Sequence, residues 1–121
     1  MERDLELYRK ILRAVKDLPG HRAPDRFKLD GYTEDEVGYN SYLMKQDGLV
    51  EGVEKRGLKI RPSTVRITEI TSAGHAFLEA SKNDTAWQKT MKYVQEKGAS
   101  LAFDAVVGYL VNEAKKRVGL S

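Results

Sequence analysis

Thr33-Glu34-Asp35-Glu36 opens the segment on which the fold turns, Asp47-Gly48-Leu49-Val50 closes its helix, and Ile70-Thr71-Ser72-Ala73-Gly74-His75-Ala76-Phe77-Leu78 starts another. The first tetrapeptide is a capping box. The Thr33 hydroxyl can accept from the backbone N–H of Glu36 while the Glu36 carboxylate returns to the N–H of Thr33. Its three acids stand where the helix dipole favours negative charge. Val37, Asn40, Ser41 and Met44 share one side of this helix, with Leu43 at the margin, and Gly48 supplies a left-handed stop. Gly38, Tyr39, Tyr42, Lys45 and Gln46 face away. That outward strip is what a partner can touch.

Residues 49–54 and 64–70 alternate or nearly so, with Val50, Val53, Val65, Ile67 and Ile70 as inward candidates. The glycine and proline of residues 55–63 mark an exposed hairpin tip. Thr71 is placed to cap a helix whose Ala73, Phe77 and Leu78 face the core, and Gly74 lets that helix approach its neighbour. Helix, β-ribbon and helix in this order read as the reading helix and wing of a winged helix. The expected class is α+β: a winged helix-turn-helix-like domain with a two- to three-stranded antiparallel sheet and additional C-terminal helices.

Working outward, Leu5, Tyr8, Leu12 and Val15 recur at helical spacing, with Leu7, Ile11 and Leu18 widening the stripe until Pro19-Gly20 ends it. The charges of mixed sign on the remaining face read as solvated surface. Residues 19–32 hold two prolines and two glycines, so the short helix usual at this place is reduced to a loop, in which Phe27-Lys28-Leu29 can form an edge strand. Downstream, Trp87, Met91 and Val94 mark a helix over about residues 85–96, started by Asn83 or Asp84 and closed by Gly98. Ser100 is placed to cap a last helix with the stripe Phe103, Val107, Leu110, Ala114 and Val118, and Val106 and Val111 beside it. This helix is more apolar than a surface helix needs, so it packs across the first helix or makes a homodimer contact through residues 101–118.

With 121 residues, 40% of them hydrophobic, the chain is expected to be one domain, a winged-helix core over residues 1–82 with a helical extension over 83–121. There is no cysteine, which excludes disulfides and thiolate metal sites. The charged start and the lack of a long apolar run point to a cytoplasmic protein without a membrane partner. Net charge is +3, too small to decide anything alone; its distribution is more telling. Residues 55–66 hold Lys55, Arg56, Lys59, Arg61 and Arg66 with no acid, whereas the preceding helix is acidic.

Taken in order, several pieces resemble an uncharacterised winged-helix family of phage and bacterial genomes, the domain of unknown function 2513 with its YjcQ-like proteins. They are Met1-Glu2-Arg3-Asp4-Leu5, Gly31-Tyr32-Thr33, Leu43-Met44 leading into Asp47-Gly48-Leu49-Val50, the block from Ile70-Thr71 to Phe77-Leu78, Asp84-Thr85-Ala86-Trp87 and Gly98-Ala99-Ser100-Leu101. The resemblance covers nearly the whole chain and implies the fold and an association with prophages and mobile elements. It brings no activity with it. Where relatives often carry His, this chain has Asn40 on the buried side.

On a winged helix, residues 33–47 enter the major groove of duplex DNA, where Lys45 and Gln46 reach base edges and Tyr39 or Tyr42 meets phosphate or thymine methyls. Lys55, Arg56, Lys59, Arg61 and Arg66 lie along phosphates. Alternatively, Tyr39 and Tyr42 anchor a protein partner and the wing serves solubility. Catalysis is not expected: there is no cysteine nucleophile, no Gly-x-Ser-x-Gly and no phosphate-cradling glycine loop. Pro24-Asp25 and Glu113-Ala114-Lys115 are only scraps of a nuclease motif, and neither His21 nor His75 has metal-ligand spacing. No cofactor is expected.

Overall fold

The computed structural model describes residues 2–98 and 100–117. Met1, Ala99 and residues 118–121 fall outside it, and with them the expected place of Val118 in the last stripe. The elements are α1 (Leu5–Lys16), a 3₁₀ turn (Pro19–His21), α2 (Glu34–Gln46), β1 (Val50–Lys55), β2 (Thr64–Ile70), α3 (Ser72–Ser81), α4 (Asp84–Lys97) and α5 (Phe103–Arg117). The fold is α+β, with five α-helices and a two-stranded antiparallel sheet. The chain divides into two compact units, residues 1–74 and 75–121.

In the first unit, α1 buries Leu7, Tyr8, Ile11, Leu12 and Val15, the face its periodicity marks. Asp4 caps it, accepting from the Leu7 N–H at 3.0 Å. Two polar ties then fix the start of the chain to α2. Buried Asn40 accepts from the Asp4 N–H at 2.8 Å and donates its amide to the Glu36 and Glu2 carbonyls at 3.1 and 3.4 Å. Position 40 therefore has a structural task in this chain, satisfying backbone groups that would otherwise be stranded. Beside it, the Tyr8 hydroxyl donates to Asp47 Oδ2 at 2.5 Å, and Arg3 donates to the Tyr8 hydroxyl at 3.0 Å and to Asp47 Oδ1 at 3.1 Å.

The capping box of α2 forms in both halves, at 3.0 Å from the Glu36 N–H to Thr33 Oγ1 and 2.8 Å from the Thr33 N–H to Glu36 Oε1. Gly48, with φ +82°, turns the chain into β1. Thr71 links this turn to α3: its hydroxyl donates to the Gly48 carbonyl at 2.7 Å and accepts from the Gly74 N–H at 3.0 Å. Gly74 is needed for this approach, since a Cβ there would lie 2.0 Å from the Leu49 carbonyl oxygen.

The sheet corrects two expectations. Residues 27–29 form no edge strand. Ala23 instead lies along β2, donating to the Ile67 carbonyl at 2.8 Å, and Pro24, which has no N–H, cannot extend the ladder. Val53 does not point inward; it is 54% exposed. Glu51 pairs with Glu69 but Gly52 pairs with Ile67, so Thr68 is an extra residue in β2. This bulge puts Val65, Ile67 and Ile70 all in the core despite the spacing of three between the last two. In β1 no residue is added, so simple alternation from Val50 carries Val53 to the outer face.

In the second unit, Phe77 packs edge-on to Trp87 at 5.9 Å and stacks with Phe103 at 6.0 Å. Asn83 is the cap of α4, accepting from the Ala86 N–H at 3.0 Å, and Gly98 closes it. The last helix starts later than Ser100 allows: Ala102 accepts the first helical bonds, from Ala105 and Val106. Within the unit it packs on α4, where its Tyr109 stacks on Tyr93 at 4.2 Å and 5°, and its Phe103 reaches Phe77 of α3. Its buried positions are Val106, Leu110 and Glu113, the last an acid paired with Lys116 and Arg117 at 3.2 Å. The hydrogen bond from Lys116 holds that carboxyl below the usual carboxylate range, against the opposing effect of burial.

Candidate functional site

The site is the surface that α2 shares with the hairpin in the first unit. Two rows of α2 divide it. One row faces the hairpin: Gly38 lies so close to Thr64 that a Cβ would stand 2.8 Å from its side chain, and Lys45, two turns on, reaches the Gly52 carbonyl at 3.2 Å and Glu54 at 3.3 Å. Gly38 and Lys45 therefore leave the outward strip on which the helical wheel places them. Proximity of β1 and β2 explains it: the glycine lets the strand in, and a lysine beside a carbonyl and a carboxylate has partners closer than any ligand.

The other row is open. Tyr39 and Tyr42 stack at 6.2 Å and 24°, and Gln46 donates to the Tyr42 hydroxyl at 3.0 Å. Asp35 heads this row and meets Arg61 of the hairpin at 3.8 Å. Both groups of that pair are substantially exposed, so it adds little to stability. It does place the hairpin beside the free face of α2.

The hairpin cations fall into two kinds. Arg66 pairs with Asp25 at 3.3 Å and Arg61 with Asp35, so both are partly neutralised. Lys55, Arg56 and Lys59 are exposed and have no ion pair among the described residues. Between them the tip presents Leu58 and Ile60, 78% and 96% exposed. Gly57 donates its N–H to Ser63 Oγ at 3.0 Å, and Arg61 its N–H to the Leu58 carbonyl at 2.6 Å, which gives the tip a turn of its own. A cleft of about 830 Å³ lies between this hairpin, residues 23–27 and the start of α2, spanned by the Arg66–Asp25 and Arg61–Asp35 pairs.

Sequence reading misses the apolar tip, although Leu58-Lys59-Ile60 signals it by placing two large apolar residues in a turn. It also takes Asp25 as the scrap of a catalytic motif; the structure gives it Arg66, while Glu113 has its own cations in the second unit. Among the described residues no group of three or more His, Asp or Glu could hold a metal ion. None of the described helices is long and apolar enough to cross a membrane.

The family described as "Hypothetical protein (DUF2513)" matches residues 2–100. The chain belongs to this family. DUF2513 thus spans α1 to α4, and α5 lies beyond the matched residues. A protein of Haemophilus influenzae, described only as "Uncharacterized protein", is 28% identical over 109 residues, covering 88% of this chain and 89% of its own. No solved structure matches the chain.

Proposed function

We propose that this is a winged-helix DNA-binding protein, a transcriptional regulator or accessory factor of a phage or mobile element that works in the cytoplasm, without catalysis or cofactor. The observation that carries the reading is the hairpin. Lys55, Arg56 and Lys59 stand exposed without ion pairs among the described residues, beside a capped helix that ends directly in β1. Cations so placed neutralise phosphates and release counterions, which gives binding that weakens steeply with salt. A dimer through residues 101–118 would present two such hairpins to half-sites roughly 34–36 Å apart or multiples of that.

Fluorescence anisotropy of a generic duplex, titrated with protein between about 50 and 200 mM salt, tests this. Affinity is expected to fall by orders of magnitude over that range, and Lys55→Ala with Lys59→Ala to flatten the salt slope by about one unit for each phosphate no longer neutralised. Absence of binding at the low-salt end would remove the reading.

A second reading is favoured by the tyrosine row. Tyr39 and Tyr42 form a stacked pair that Gln46 braces, while Lys45 is turned to β1. Braced aromatics lose little entropy on docking, so the same row suits a protein partner. Loss of one specific partner on Tyr42→Ala, with no retention on DNA, would select this reading.

A further inference from the structure

Residues 9–28 hold seven cations and two acids, a net +5; residues 55–66 hold five cations and no acid, another +5. Since the whole chain carries +3, the rest of it carries −7. The two basic segments are separate in sequence and adjacent in the fold. Ala23 donates to the Ile67 carbonyl at 2.8 Å, Asp25 meets Arg66 at 3.3 Å, and the 3₁₀ turn after α1 lies against β2. Lys10 stands over the Tyr32 ring at 5.4 Å, which holds the far end of the loop to α1.

Lys10, Arg13 and Lys16 are exposed on α1 away from Leu7, Ile11 and Val15, and Arg22, Arg26 and Lys28 are exposed in the loop. We propose that these six side chains and the cations of the hairpin form one continuous track for the sugar-phosphate backbone of duplex DNA. The duplex then lies along α1, the loop and β2, and the tyrosine row of α2 stays outside the groove. This rests on the DNA-binding reading and changes its geometry: the acidic start of α2 never has to approach phosphate.

One observation favours nucleic acid over an acidic protein along residues 9–28. A protein interface needs apolar or aromatic anchors at its centre; the exposed large hydrophobic residues Val53, Leu58 and Ile60 all lie on the hairpin, at one end of the track, and none lies in residues 9–28. Phosphate contacts need only cations, spread along a line. A lone patch on α1 would be ordinary solvated surface; its continuity with a second patch of equal charge is what gives it the length of a backbone track.

The test uses the full chain carrying Arg13→Gln, Arg22→Gln and Lys28→Gln together, with duplex anisotropy followed across the same salt range. The salt slope should fall by about three units, so the drop in affinity between about 50 and 200 mM shrinks roughly 60-fold. Tyr42→Ala should leave the slope alone. Arg13→Lys with Arg22→Lys should keep both affinity and slope, which separates charge from folding. If the triple variant binds like the parent while Lys55→Gln with Lys59→Gln does not, the track is overturned and the DNA reading survives. If the parent binds no duplex at low salt, both fall. A triple variant that loses only binding to phosphatidylserine vesicles also overturns the track.

Discussion

Tyr8 shows how much one side chain can hold. It is fully buried among apolar residues of α1, yet its hydroxyl sits between Asp47 and Arg3, so that one phenol joins the start of the chain, α1 and the end of α2. A hydrogen bond to a charged group contributes about 1.5–3 kcal/mol, more than the neutral kind. Tyr8→Phe should therefore cost roughly that amount in urea unfolding, and the loss should be similar whether or not DNA is present. Burial, then the bond to Asp47, pushes the Tyr8 phenol well above its usual range. The unfolded chain releases this proton near pH 10 while the folded chain keeps it, so the stability it contributes is complete below that pH and is lost above it. Parent stability should fall by about 1.4 kcal/mol for each pH unit beyond about 10 on this account. In Tyr8→Phe that limb should be flatter by one proton; an unchanged slope would show that Tyr8 ionises as easily folded as unfolded.

At the scale of elements, the parts legible in sequence are those governed by near neighbours. The capping box at Thr33, the stop at Gly48, the Thr71 cap and the buried face of α1 depend on residues within a turn or two, and each is found where the pattern puts it. What is not legible depends on pairing across the chain. Alternation cannot reveal that Thr68 is extra, because the bulge is defined only by Glu51 and Gly52 opposite it. Nor can a wheel show that Gly38 and Lys45 face the hairpin, since the hairpin is what decides which side is free. The Val53 correction is measurable. Val53→Thr should leave stability within about 0.5 kcal/mol, as for any exposed site, whereas Val65→Thr places a hydroxyl in the core and should cost about 1–3 kcal/mol. Equal costs would mean that the two strands pair in another register.

For the whole molecule, the net charge of +3 is a poor guide to how the protein meets a charged surface. Two segments of +5 are set against a remainder of −7, and a field is made by where charges sit rather than by their sum. Cation-exchange retention reads this without any nucleic acid. Arg22→Gln, Lys28→Gln and Lys59→Gln together remove three cations from the basic segments; Lys89→Gln, Lys92→Gln and Lys115→Gln remove three exposed ones from the second unit. Both variants have the same net charge, so a protein that behaved as a uniformly charged body would elute at one position for the two. With cations clustered, the first variant should elute at clearly lower salt than the second, because the resin touches the molecule through its most positive side. Coincident elution would mean that residues 9–28 and 55–66 do not act as one field in solution. The phosphate track would then lack its electrostatic basis, whatever the protein does with DNA.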